Sequence, residues 1–268
     1  EQRIVVNVTL DVPGVIEPVT GRLVSLNDQR ENGLNKVVLR SGRWPQTGHA
    51  EEVLLGETFA IANRLEIGDT LSAIINGTKR ALRVVGTVLS PEYVYTIPPG
   101  ELMPDDRRFG VIWMNRNALA AAFDLDGAFN DLSLTLVRGA SQAEVIERLD
   151  KLLEPYGGIG AYGRKDQLSN SFLTSELDQL VNFGGVGPVI FLGVAAFLLN
   201  IVITRLIGTE REQIGVFKAF GYSGTEIGLH YMSFAAALVV LGTVMGFAVG
   251  DWLGREVTQM YTQFFSFP

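Results

Sequence analysis

Residues 186–250 read VGPVIFLGVAAFLLNIVITRLIGTEREQIGVFKAFGYSGTEIGLHYMSFAAALVVLGTVMGFAVG. Two apolar spans, Val186–Leu206 and Ser233–Gly250, flank a charged loop, Gly208–Tyr231. The first span carries no charge before Arg205 and has about 20 residues, the length a helix needs to cross a bilayer core. The second carries no charge at all. Two such runs in succession favour membrane helices over the alternative, two buried helices of a soluble protein.

Arg205, Arg211 and Lys218 lie in or beside the loop, whereas only Arg255 lies close to the outer end of a span. Arg164 and Lys165 are about 20 residues from the first span, at the limit of the window over which basic residues set orientation. This bias places the loop in the cytoplasm and the residues before Val186 outside, together with the tail after Gly250.

The 268-residue chain has a net charge of −7, which argues against nucleic acid as a partner. It has no cysteine, so disulfide and thiol chemistry are excluded. It begins at Glu1, almost inside a strand pattern, and ends on the apolar tail FFSFP, which reads as a segment of a longer protein.

In the N-terminal part, Val6, Val8, Leu10 and Val12 alternate with Asn7, Thr9 and Asp11, the period of a half-buried strand that Pro13-Gly14 ends. Further strands are expected at 22–25, 36–40 and 52–55, with a short helix over 57–65. Asn76-Gly77 between two strand runs, 71–75 and 78–85, signals a hairpin with a type I′ turn. The stretch 98–108 reads as a loop. Beyond it a strand (109–114), a helix (117–123) and a strand (131–137) are expected. Ser141-Gln142-Ala143-Glu144 has the form of a capping box opening a helix whose apolar face is Val145, Ile146, Leu149, Leu152 and Leu153, and Pro155 stops it. A polar helix follows from about residue 164, and Gly184-Gly185-Val186-Gly187-Pro188 is expected to break or kink it at the outer membrane surface.

These readings combine into an α+β extracytoplasmic domain over 1–163. It consists of a β-rich part (20–108) and a small ferredoxin-like α+β part (109–163). A stalk helix (164–185) then joins it to the α-helical transmembrane segment (186–268) with its cytoplasmic loop at 208–231.

Signals for enzymatic chemistry are weak. His49 and His230 belong to opposite ends of this layout and cannot share a metal. The Gly158–Gly163 stretch matches G-x-G-x-x-G but follows a helix rather than a strand, which removes it as a dinucleotide site. The DLDGAFND stretch at 124–131 lacks the ligand spacing of a calcium loop. Asn7 and Asn76 begin N-x-T triplets of a kind common by chance.

In the membrane part, Gly242, Gly246, Gly250 and Gly254 recur every four residues, a smooth helix stripe suited to close packing against another helix. Trp252 and Tyr231 suit the two interfaces, and Asn200 suits an interhelical hydrogen bond. In the loop, Ile214, Phe217 and Phe220 follow at three-residue steps on a short amphipathic helix ending at Gly221. Such a helix either rests in the headgroups or docks into a cytoplasmic partner.

The loop sequence TEREQIGVFKAFGYSGTEIGLHY resembles the signature loop of FtsX-like permease domains, the membrane subunits of ABC transporters of the MacB and LolC/LolE kind. Arg211, Ile214, Gly215, Ala219, Gly221 and Ile227 stand at the matching places, Lys218 and Ser223 fit the usual residue types, and Gln213 stands where the family usually has Glu. The outer domain resembles the MacB-like periplasmic core domain at Gly42, Arg43, Glu52, Val53, Leu55, Ala60, Gly68, Asp69, Leu71, Val84 and Gly86. By this resemblance the segment is expected to start after the helix that precedes such a domain in the family, with the domain's first strand and helix as further candidates for what lies upstream.

The resemblance implies a non-catalytic permease subunit without cofactor or metal, in a bacterial cytoplasmic (inner) membrane. Its partners would be a cytoplasmic ABC ATPase dimer, membrane lipid, a second permease half or identical subunit, and a periplasmic accessory protein. Arg211, Gln213, Ile214, Gly215, Phe217, Lys218, Phe220 and Gly221 would couple it to the ATPase. A stalk helix would carry that motion to the outer domain, which would handle a lipoprotein, lipid, peptide or drug-like substrate. The alternatives are an FtsX-type regulator of an external hydrolase, which usually has a much smaller outer domain, and a membrane-tethered enzyme, for which no nucleophile–base or metal constellation is present.

Overall fold

The computed structural model describes residues 1–26, 33–101 and 103–264. Leu102 of the expected 98–108 loop and residues 265–268 of the apolar tail lie outside the described residues. The chain divides into two compact units, Glu1–Thr174 and Ser175–Tyr261.

The first unit runs β1 (Gln2–Arg3), β2 (Val5–Asp11), β3 (Val19–Leu26), β4 (Val38–Gly42), β5 (Glu52–Gly56), α1 (Glu57–Asn63), β6 (Thr70–Ile75), β7 (Thr78–Leu89), β8 (Phe109–Asn115), α2 (Arg116–Ala122), β9 (Asp131–Leu132) and α3 (Gln142–Leu153). It ends in the first turns of α4 (Leu168–Thr209), which is followed by α5 (Arg211–Ala219) and α6 (Gly224–Phe264).

The alternation at the N-terminus is realised in β2: Val8, Leu10 and, just beyond it, Val12 are buried while Asn7, Thr9 and Asp11 face solvent. The Asn76-Gly77 signal is realised too. Both residues take positive φ, 47° and 73°, and β6 and β7 pair antiparallel from Ile75↔Thr78 onward.

Six strands close into a barrel. β2 pairs with β3 and β6, β3 runs parallel to β8, β8 antiparallel to β5, β5 parallel to β7, and β7 antiparallel to β6. The twelve-residue β7 makes this possible by changing neighbours along its length. Its residues 78–83 pair with β6, and its residues 86–89 pair with β4, where Gly42 stands opposite Gly86. Register shifts at Val53/Leu54 and Leu39/Ser41 mark this switch.

Side chains alternate between two apolar clusters. One includes Leu10, Leu23, Leu55, Leu71, Leu82 and Ile112, drawn from all six barrel strands, so it fills the interior; Phe59 of α1 and Leu119 of α2 join it. The other, with Val24, Leu54, Val88, Phe109 and Trp113, lies on the outer face of β3, β5, β7 and β8.

Several expectations need correction. β8 is not the first strand of a separate α+β part. It sits between β5 and β3 inside the barrel, so the sheet crosses the expected 108/109 boundary. Sequence periodicity fixes which residues face inward but not which distant strand lies alongside. The expected strand 131–137 shortens to β9, paired with β1 alone. Leu134, Leu136 and Val137 are 42%, 39% and 80% exposed, so their alternation meets no buried face. The capping box holds, with Ser141 Oγ accepting from the Glu144 N–H at 3.5 Å, yet α3 buries no residue fully and Leu152 is largely exposed. A ferredoxin-like layer is therefore not formed among the described residues.

In the second unit, α4 does not end at the glycine–proline cluster; it continues through Pro188 to Thr209. Pro188 removes one hydrogen bond, to the carbonyl of Gly184, and a long apolar helix tolerates that loss. α6 begins at Gly224, so His230 and Tyr231 are helical and the loop is shorter than the expected 208–231. The apolar windows of both helices, with mean hydropathy 2.5 and 2.2, have none of their residues buried. Core helices of soluble proteins bury such faces, so two buried helices are the poorer description.

Candidate functional site

The loop joining the two apolar helices is a compact turn–helix–turn. The Thr209 hydroxyl donates back to the carbonyls of Arg205 and Leu206, both at 3.0 Å, adding a side-chain bond to the last turn of α4, where Leu206 also accepts from the Glu210 N–H at 3.0 Å. After a one-residue joint at Glu210, α5 runs to Ala219. It ends in a Schellman motif: Gly221 N–H donates to the Lys218 carbonyl and Tyr222 N–H to the Phe217 carbonyl, both at 3.1 Å. Gly221 has φ +94°, which a residue with a Cβ adopts only at a cost.

α6 opens with a reciprocal capping box. Ser223 Oγ accepts from the Glu226 N–H at 3.3 Å, and Glu226 Oε2 accepts from the Ser223 N–H at 2.8 Å. The Ser223 N–H holds the Glu226 carboxyl below the usual carboxylate range. The S-x-x-E spacing of Ser223–Glu226 was the signal in the sequence for this cap, and the sequence reading missed it.

The loop helix and the flanking helices enclose an apolar cleft of about 390 Å³, lined by Ile203 and Ile207 of α4, Ile214 and Lys218 of α5, and Ile227 and Tyr231 of α6. Tyr231 is thus largely buried, rather than reaching outward as an interface anchor.

The expected apolar face of α5 is split. Ile214 lines the cleft, Phe217 packs against Tyr222, and Phe220 is 79% exposed at the helix end. Each three-residue step falls about 60° short of a full turn, so Phe220 lies about 120° from Ile214. Arg211, Gln213 and Gly215 are exposed, and Lys218 borders the cleft while remaining largely exposed. The exposed surface of the loop includes Arg211, Glu212, Gln213, Val216, Lys218 and Phe220, with part of Phe217.

Gly242, Gly246, Gly250 and Gly254 all lie in α6, and a Cβ added at any of them would meet nothing within 4 Å. Asn200 and Trp252 are exposed as well.

In the first unit, the motif residues Arg43, Glu52 and Asp69 make contacts that hold its turns and strands together. Arg43 holds Glu52 through paired hydrogen bonds of 2.8 and 2.5 Å, and Glu52 also accepts from the Gln46 N–H at 2.9 Å. The Glu52 side chain is 2% exposed. Its carboxyl is drawn down to about 2, first by the Arg43 hydrogen bonds, against the opposing effect of its burial. Asp69 accepts from the Glu66 N–H at 2.8 Å in the turn before β6.

His49 is exposed and sits 3.2 Å from Glu51, while His230 packs edge-on to Tyr231 and Phe234. Among the described residues no group of three or more His, Cys, Asp or Glu could hold a metal.

Residues 185–268 match the family described as FtsX-like permease C-terminal. No curated protein matches the sequence. One similar solved structure is the extracellular domain of the noncanonic ABC-type transporter YknZ from Gram-positive bacteria. It is 15% identical, with a TM-score of 0.36, and covers 60% of this chain and 76% of its own. Another is a domain of a putative permease protein from Porphyromonas gingivalis, 12% identical with a TM-score of 0.34, covering 59% of this chain and 64% of its own. The matched residues 185–268 take in the loop, α5, α6 and the apolar part of α4.

Proposed function

We propose that this chain, with its FtsX-like C-terminal segment, is the permease subunit of an ABC transporter in a bacterial inner membrane. A separate cytoplasmic ATPase dimer drives it. α5 receives the ATPase motion at the cytoplasmic surface, α4 carries it across the bilayer, and the barrel domain outside works on the substrate. The chain itself is non-catalytic. The substrate belongs to the lipoprotein, lipid, peptide or drug-like class.

The observation that carries this reading is the family match over 185–268. Three further features support it: two apolar helices with wholly exposed windows, the basic residues Arg205, Arg211 and Lys218 around the loop, and a capped α5 presenting Phe220. A Schellman motif at the end of α5, followed directly by the Ser223–Glu226 cap of α6, fixes the turn between the two helices, so that α5 moves with α6, which a docking element requires.

The test is reconstitution of the protein in lipid nanodiscs with the ABC ATPase encoded beside it. Co-purification and stimulation of ATP hydrolysis by the permease are expected. An ATPase that neither binds nor responds would refute the assignment.

A further inference from the structure

Between β7 and β8 the chain crosses the outer face of the barrel as an irregular segment that nevertheless buries two of its apolar side chains. Val94 and Ile97 are 8% and 6% exposed, and the ring of Tyr93 stands edge-on to Trp113 of β8 at 6.0 Å. Burial pushes the Tyr93 hydroxyl well above its ordinary value. The other side of the same segment meets the start of α4. Gln167 caps α4 by accepting from the Asn170 N–H at 2.7 Å, and its amide donates to the Glu92 carbonyl at 2.8 Å. Ser169 Oγ accepts from the Tyr95 N–H at 2.9 Å, and Phe172 lies against Tyr95 with ring centroids 5.2 Å apart.

Glu92 is the fixed point. Both its carboxylate oxygens accept from Arg3, at 2.5 and 2.9 Å, and Arg3 also reaches Asp131 at 2.8 Å. The Arg3 side chain is 7% exposed, so this is a desolvated guanidinium bonded through all three nitrogens that joins the β1–β9 ribbon to the segment. Carboxylate and carbonyl of one residue thus tie together the ribbon and the cap of α4.

We propose that residues 90–97 are the linkage through which movement of the first turns of α4 reaches β8 at the centre of the barrel wall, with the Arg3–Glu92 pair as its anchor. The contact chain runs from Phe172 and Gln167 through Tyr95 and Glu92 to Tyr93 and Trp113. The role of this linkage in transport rests on the permease reading above; the linkage itself does not.

Hydrogen–deuterium exchange on the full chain in nanodiscs tests it. Phe172→Ala is expected to speed amide exchange in 90–97 about tenfold or more while the β6–β7 hairpin amides stay as protected as before. Glu92→Ala is expected to do the same to residues 168–174, and Glu92→Gln, which keeps one acceptor for Arg3, less so. Unchanged exchange in 90–97 with Phe172→Ala, or an equal rise in the hairpin, overturns the proposal. With the ATPase present, ATP and vanadate are expected to alter exchange in 168–174 and 90–97 together. A nucleotide response in 168–174 that leaves 90–97 untouched also overturns it. If nucleotide alters neither segment but the substitutions act as stated, the linkage stands and the permease reading fails.

Discussion

The ring of Phe217 stands edge-on to that of Tyr222, centroids 5.7 Å apart and planes at 82°. These residues occupy the two positions that a Schellman motif brings together, so their contact belongs to the helix stop itself. Phe220, the residue between them that has no such duty, is the cleaner probe of docking.

Phe220→Asp is expected to leave insertion and folding intact and to abolish most ATPase stimulation. Loss of one anchor in helix-in-groove docking costs about 2 kcal/mol or more, roughly a 30-fold weakening. Phe217→Asp should lose coupling and also fray α5. Stimulated ATP hydrolysis, measured beside circular dichroism of the inserted protein, separates the two effects. Normal stimulation by Phe220→Asp would show that this surface does not dock.

Arg43→Met should measurably destabilise the barrel, because it strands the buried Glu52 carboxylate. The pH dependence has a definite sign. Glu52 titrates near 2 when folded, against an ordinary value of 4.5, so the stability it contributes is fully present above about 4.5 and lost as pH falls toward 2. Arg43→Met should weaken or remove this acid-side loss, since its Glu52 no longer titrates below the unfolded chain. Chemical denaturation at pH 7 and pH 3 measures both effects.

Gly246→Leu is expected to lower assembly or activity, whereas Val244→Leu is not. A Cβ at Gly246 meets nothing in this chain, so a leucine fits the isolated helix, and any loss must come from a surface pressed against it from outside. Equal behaviour of the two variants would reduce the stripe to composition. Crosslinking yield and transport are the measurements.

A reporter inserted at 124–131 is expected to be extracytoplasmic, and one in the Gly221–Ser223 turn cytoplasmic. The opposite labelling pattern with a membrane-impermeant reagent would invert the topology. The chain has no cysteine, so single introduced cysteines are labelled without background.

Local signals translated well into structure. Val8 and Leu10 turned inward as their alternation required, Asn76-Gly77 made its turn, and Ser141 capped α3. Each is decided within a few residues of chain. Closure of the barrel was not legible, because it depends on the parallel pairs Leu23↔Ile112 and Val53↔Val84, whose partners lie far apart in sequence. The length of β9 was misjudged for a related reason: alternation in 131–137 records a preference, and only a neighbouring strand fulfils it. In the loop the residues were found but their directions were not. Steps of three residues rotate around α5, which sends Ile214 into the cleft and Phe220 to the solvent.

Because β7 serves two neighbours in turn, the seven-stranded sheet keeps a single open margin among the described residues, the outer side of β4. An unpaired margin is where a foreign strand adds on, and it is a liability in any exposed sheet. Here it is five residues long, carries Arg40, which pairs with Glu57 at 3.4 Å, and is broken by a register shift at Leu39/Ser41. The barrel is thus poorly suited to joining its neighbours backbone to backbone. Under the proposed permease reading, whatever this domain recognises would be held by side chains rather than by backbone pairing.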